Sequence, residues 1–223
     1  MPSAATCTGV EAGIRGIILN ASIRSGADMA NLVVMAGPNG SGKSTMAPAL
    51  LRDTLRVDEF INADLIAGGL SGFAPDRVAF PAGRIMIRRM RNLAASRADF
   101  AFESTLANRF LAPWIAKLQA EGYTFHLVYL WLQSADLAVE RVAERVRQGG
   151  HEVPEATVRR RYARSLTNFF GIYRPIADSW LMLDNSLVGA PKPIAWRNVG
   201  GPIQIVKGGP WEQLRKEYEK DIF

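Results

Sequence analysis

Cysteine is almost missing from these 223 residues. Cys7 stands alone, so an internal disulfide framework is excluded, and the usage fits a reducing cytosol. No stretch reaches the roughly 18 consecutive apolar residues that a membrane-spanning helix needs. The first residues carry neither the basic nor the apolar region of a secretory signal. A soluble, cytoplasmic protein is therefore expected. Internal repeats are absent, and nowhere do five like charges follow one another. The formal charge of +6 comes from arginines clustered on predicted helices. That balance suits anionic nucleotides, and without a basic block nucleic acid is the disfavoured substrate. Histidine is scarce too. His126 lies inside an apolar strand and reads as a core residue, whereas His151 falls in a glycine-rich stretch and can change charge near neutral pH.

What is present is ordinary globular composition, 48% hydrophobic and 22% charged. The length allows one α/β domain with a sizeable core, or a core with a small appendage. One stretch is far more specific. The apolar run Leu32-Val33-Val34-Met35-Ala36 leads into Gly37-Pro38-Asn39-Gly40-Ser41-Gly42-Lys43-Ser44-Thr45, a G-x-x-x-x-G-K-[ST] phosphate-binding loop with a strand before it and a helix after. Glycines let successive backbone N–H groups turn toward one phosphate, where bulkier side chains would block the approach. Lys43 then reaches the outer phosphates of ATP, and the Ser44 hydroxyl serves Mg²⁺.

The organisation follows from alternating patterns. Residues 1–28 are small and polar with weak periodicity and read as a weakly structured extension, so the core is expected to start at Met29. Residues 29–188 alternate short apolar strands with helices, which predicts a P-loop kinase-type parallel sheet flanked by helices. A helical lid is expected over about 134–170, with Ser134 as N-cap and Gly149-Gly150 as a hinge. From Gly189 onward glycine and proline dominate, and residues 189–223 read as a surface appendage ending in a helix.

Ligands in such sheets bind beyond the carboxyl ends of the strands. Asp64 falls at one such end, either as the carboxylate that accepts a hydroxyl proton or as a capping aspartate. Glu103 closes the run Phe100-Ala101-Phe102 and stands where a carboxylate would support Mg²⁺ beside Ser44. Thr105 and Arg109 would face the substrate, with a plain capping hydroxyl as the alternative for Thr105. Arg141 and Arg145 are i,i+4 neighbours that project from one helical face. They read as phosphate-neutralising lid residues or as a solvated surface. In Arg159-Arg160-Arg161 only Arg161 borders the apolar face.

These motifs together resemble the zeta toxin family. The resemblance is carried by Gly37–Thr45, Ile61-Asn62-Ala63-Asp64, Phe102-Glu103-Ser104-Thr105-Leu106, Gly149-Gly150-His151-Glu152-Val153-Pro154, Arg160-Arg161-Tyr162 and Leu183-Asp184-Asn185-Ser186. It runs from about Asn31 to Ile194. It implies an ATP- and Mg²⁺-dependent kinase that phosphorylates the 3′-hydroxyl of the amino sugar in UDP-N-acetylglucosamine. A small helical antitoxin that blocks the nucleotide site is the implied partner. The resemblance implies Asp64 as base, Lys43 and Ser44 as phosphate and Mg²⁺ contacts, and Glu103 and Thr105 as lining of the sugar-nucleotide pocket. It also implies Arg141 or Arg145 as a lid arginine. This chain departs from the family at the second lid arginine, where His151 precedes Val153-Pro154, so Arg147, His151 and Arg161 all stand as candidates for the γ-phosphate clamp. Two other readings of the same residues are a kinase for a different acceptor (nucleotide, sugar or nucleic-acid end) and a non-catalytic nucleotide-binding switch.

Overall fold

Seven strands make one sheet in the computed structural model, which describes residues 29–150 and 152–219. In chain order they are β1 (Ala30–Ala36), β2 (Phe60–Ile61), β3 (Phe100–Ser104), β4 (Tyr123–Trp131), β5 (Ser179–Asp184), β6 (Lys192–Arg197) and β7 (Ile203–Ile205). Across the sheet the order is β2-β3-β1-β4-β5-β6-β7. β1 to β5 run parallel. β6 and β7 continue the sheet antiparallel. β1 is buried along its whole length because it has a parallel neighbour on each side, β3 and β4, which explains its unbroken apolar run.

Alternate side chains of β1 point to opposite faces. Leu32, Val34 and Ala36 join one core cluster, and Val33 and Met35 join the other. The second cluster is closed by α1 (Lys43–Ala47), which runs on as wider π-type turns through Pro48–Thr54 and contributes Ala47, Leu50 and Leu51. Pro48 has no N–H to donate to the preceding turn, and the ladder slips there to a wider spacing, seen in Leu55 N–H donating to Leu50 O at 3.0 Å. The longer helices that follow are α2 (Ala63–Leu70), α3 (Ala79–Ala95), α4 (Leu111–Ala120), α5 (Ala135–Arg147), α6 (Glu155–Asn168, extended by Phe169–Tyr173) and α7 (Gly208–Tyr218), with short turns at Pro75–Val78 and Arg174–Ile176. The first cluster takes side chains from α3, α4, α5, α6 and α7, among them Met90, Ile115, Val142, Tyr162 and Trp211.

The α/β class, the parallel strands and the flanking helices are as expected from sequence, and two features differ. α2 follows β2 directly, where only a strand end was expected. The segment after Gly189 does not lie as a surface appendage: β6 extends the sheet, and Trp211 of α7 stacks on Trp180 of β5 with ring centroids 5.3 Å apart and 13° between planes. The Arg174 guanidinium lies over the same group, 5.7 Å from the Trp211 ring, and pairs with Glu219. Gly149, at φ 86°, and Gly150 donate their N–H groups to Val146 O and Arg145 O, which caps the end of α5 at the place where the hinge is expected. The expectations for residues 1–28 and His151 lie outside the described residues. No helix among the described residues is long and apolar enough to cross a membrane.

Candidate active site

Chain order sets the place of the site. From β1 the chain moves outward to β2, returns to β3, then crosses to β4 on the far side of β1, so a crevice opens at the carboxyl end of β1. The phosphate loop Gly37–Thr45 leaves β1 at that point. Gly37 has φ 143°, and a Cβ there would stand 2.3 Å from Leu130 O. Gly42 has φ 86°, and a Cβ there would meet Asn185 Nδ2 at 2.6 Å. That amide donates to Ser41 O at 2.8 Å and ties the loop after β5 to the phosphate loop. Gly37 is therefore required by space as well as by backbone conformation, and Gly42 by its backbone conformation.

Lys43 is buried, with Nζ donating to Pro38 O at 2.9 Å and lying 3.6 Å from Glu103 Oε1. Burial pushes its ammonium pKa down; the negative charges of Glu103 and Asp64 push back, while Arg145 adds to the depression. Glu103 gathers the rest. Its Oε2 accepts from Ser44 Oγ at 2.7 Å and from Asn62 Nδ2 at 2.7 Å. Asn62 also caps α2, its Oδ1 accepting from the N–H groups of Asp64 at 2.8 Å and Leu65 at 3.3 Å. The capping alternative for Asp64 is thus taken by Asn62, and Asp64 sits in the first turn of α2, exposed.

These groups line one cavity of about 520 Å³. Its lining includes Asn39, Gly40, Gly42, Lys43, Ser44 and Thr45 from the loop, then Asp64, Glu103 and Thr105, and finally Arg141, Arg145 and Arg161. Thr105 Oγ1 also accepts from Ala107 N–H at 3.4 Å, so its local turn and its place in the cavity coexist. Arg141 donates to Ser186 O at 3.0 Å. Gly150 packs against Arg145, where a Cβ would stand 2.6 Å from Arg145 Cγ. Two expected residues are elsewhere. Arg109 is exposed, with Nε donating to Asn168 Oδ1 at 3.2 Å outside the cavity lining; the turn before α4 directs it to α6 instead of the acceptor. Arg147 is exposed and paired with Glu144; two residues past Arg145 it leaves α5 on a different face from the cavity-lining Arg141 and Arg145.

Sequence reasoning missed Asn62, Asn108 and Phe110, all of which line the cavity. For Asn62 a signal existed: an asparagine directly before a helix-compatible stretch is a capping residue. The donor set fits Mg·ATP, since a lysine ammonium, a hydroxyl and a carboxylate oxygen meet beside a loop whose glycines leave room for phosphate.

A sequence model of the AAA domain family matches residues 32–165, from β1 into α6. The cytidylate kinase of Haloarcula marismortui is 30% identical over 123 residues, which are 51% of this chain and 58% of that kinase. The chain thus spans little more than half the length of that relative. Among solved structures, the AvrRxo1-ORF1:-ORF2 crystal structure with ATP is similar with a TM-score of 0.68 at 15% identity, over 98% of this chain and 74% of that one. The structure of the PezAT chromosomal toxin-antitoxin system of Streptococcus pneumoniae is similar with a TM-score of 0.57 at 9% identity, over 100% of this chain and 91% of that one. At such identities the two structures speak for the fold, a P-loop kinase-type α/β sheet.

Proposed function

This chain belongs to the AAA domain family, and we propose that it is an ATP- and Mg²⁺-dependent phosphotransferase of the zeta toxin type, acting on an alcohol group. The acceptor we assign is a nucleotide sugar, UDP-N-acetylglucosamine first. One observation carries the reading: a single cavity presents Lys43, Ser44 and Glu103 at the phosphate loop together with Asp64 on the neighbouring helix. A nucleotide-binding switch needs the first group and has no use for the second.

In this mechanism the phosphate-loop N–H groups and Lys43 hold the β- and γ-phosphates. Ser44 and Glu103 would hold Mg²⁺, which when bound neutralises phosphate charge. Asp64 accepts the proton of the acceptor hydroxyl and orients its oxygen in line with the γ-phosphorus. The P–O bond to the leaving ADP breaks as the new one forms. Charge spreads over the equatorial oxygens in that transfer, and Arg141, Arg145 and Arg161 line the cavity where a guanidinium would offset it. Of the γ-phosphate clamp candidates, Arg161 is favoured over Arg147 by its place in the lining. The likeness to a toxin-antitoxin structure supports a small helical antitoxin as partner. The cytidylate kinase likeness favours a second acceptor class, free nucleotides.

The test is phosphoryl transfer from labelled ATP to UDP-N-acetylglucosamine beside a panel of nucleotides and sugars. The wild-type chain should label an acceptor, Lys43→Ala should lose turnover, and Asp64→Ala should keep ATP binding yet transfer about 10²–10⁴-fold more slowly. Near-normal transfer by the Asp64 variant removes it from the mechanism. Label on a free nucleotide alone moves the acceptor to that class, and ATP binding without any labelled product leaves the switch.

A further inference from the structure

We propose that Asn62 is a positioning residue that sets the orientation of Glu103 and the place of Asp64 with one amide group. The inference rests on the phosphotransferase reading for what the two carboxylates do. Asn62 is 4% exposed in the cavity floor, and both ends of its amide are engaged. Nδ2 donates to Glu103 Oε2 at 2.7 Å while Oδ1 accepts from Asp64 N–H at 2.8 Å. The amide is planar, so its donor and acceptor ends turn together. Ser44 Oγ supplies the second donor to the same carboxylate oxygen, and Lys43 Nζ lies beside the other at 3.6 Å. The rotation of the Glu103 carboxylate is thereby set from three sides. The amide that fixes it is also the cap of the helix bearing Asp64. The metal-supporting side and the acceptor side of the cavity are held in register by one side chain that neither needs to touch phosphate nor acceptor. Groups that orient metal ligands in this manner typically matter 10–100-fold for affinity or activity.

A plain helix cap makes a different prediction, and serine separates the two. Asparagine and serine are comparable caps, but a serine hydroxyl at position 62 is too short to reach Glu103. Wild type, Asn62→Ser and Asn62→Ala would be compared by thermal melting, by Mg²⁺ titration of ATP affinity, and by transfer kinetics. The Ser variant keeps the cap but loses the Glu103 bond, so it should melt between wild type and Ala while its Mg²⁺ midpoint rises about tenfold and kcat falls about tenfold, with KM for ATP at saturating Mg²⁺ unchanged. The Ala variant should lose melting temperature as well. Asn62→Thr, a cap of the same reach, repeats the comparison if Ser fails to fold. A Ser variant with wild-type midpoint and wild-type kcat overturns the inference. If wild type labels no acceptor, the functional reading fails, and the Mg²⁺ midpoint still decides the role of Asn62.

Discussion

His126 occupies β4 between two hydrogen-bonding neighbours, with Nδ1 2.7 Å from Ser179 Oγ and Nε2 3.1 Å from Asn31 Oδ1. Burial lowers its pKa from 6.5 to about 4, against the opposing charges of Asp178 and Asp99. The folded chain therefore keeps this imidazole neutral at a pH where the unfolded chain protonates it. The unfolded state binds more protons between those values, so stability is full above pH 6.5 and is lost as pH falls toward 4. The loss from this residue amounts to about 3 kcal/mol. Urea unfolding across that window should give a shallower pH slope for His126→Gln than for wild type. An unchanged slope would assign the acid sensitivity to other groups. The core role of His126 was legible because an isolated polar residue inside an apolar strand has few other fates. The role of Asn62 was not, since its bond to Glu103 joins residues 41 apart and exists only once β2 and β3 pair.

The end of α5 shows how one glycine serves a neighbouring side chain. Gly150 N–H donates to Arg145 O at 2.9 Å, and any Cβ on it would press on Arg145 Cγ and on that same carbonyl. Gly150→Ala should cost about 1 kcal/mol for the cap bond and displace the Arg145 guanidinium, lowering transfer several-fold. Gly68→Ala is the matching control, because nothing lies within 4 Å of a Cβ there. Equal activity in the two variants would separate Arg145 from the chemistry. The Gly-Gly pair was visible in sequence, but its capping bonds were not, because they depend on where the N–H groups point. Other elements were hidden for local reasons. The pair Gly68-Gly69 weakens the helical pattern of α2, which relies on the Asn62 cap. Pro191 and Pro193 disguise β6, which tolerates Pro193 at the irregular register between Met182 and Leu183 of its neighbour. The phosphate loop, by contrast, was fully legible, because nine contiguous residues with a strand before them carry their own geometry.

Taken as a whole, the molecule closes on itself through its late residues. Trp211 is buried at 1% exposure against Trp180, Phe170 and Arg174, so α7 belongs to the same core that holds α6 under the cavity arginines. Trp211→Ala should lose about 3–5 kcal/mol of stability, read as a fall in the urea midpoint. A midpoint within error of wild type would return the segment after Gly189 to the role of an appendage. The indoles at this junction have an optical consequence as well. Two near-parallel chromophores 5.3 Å apart share their excitation. Their near-ultraviolet circular dichroism should differ from the sum of what the two rings give alone. The seam between the last helix and the sheet thus carries an intrinsic, label-free reporter, by which its opening can be watched separately from the melting of the rest of the chain.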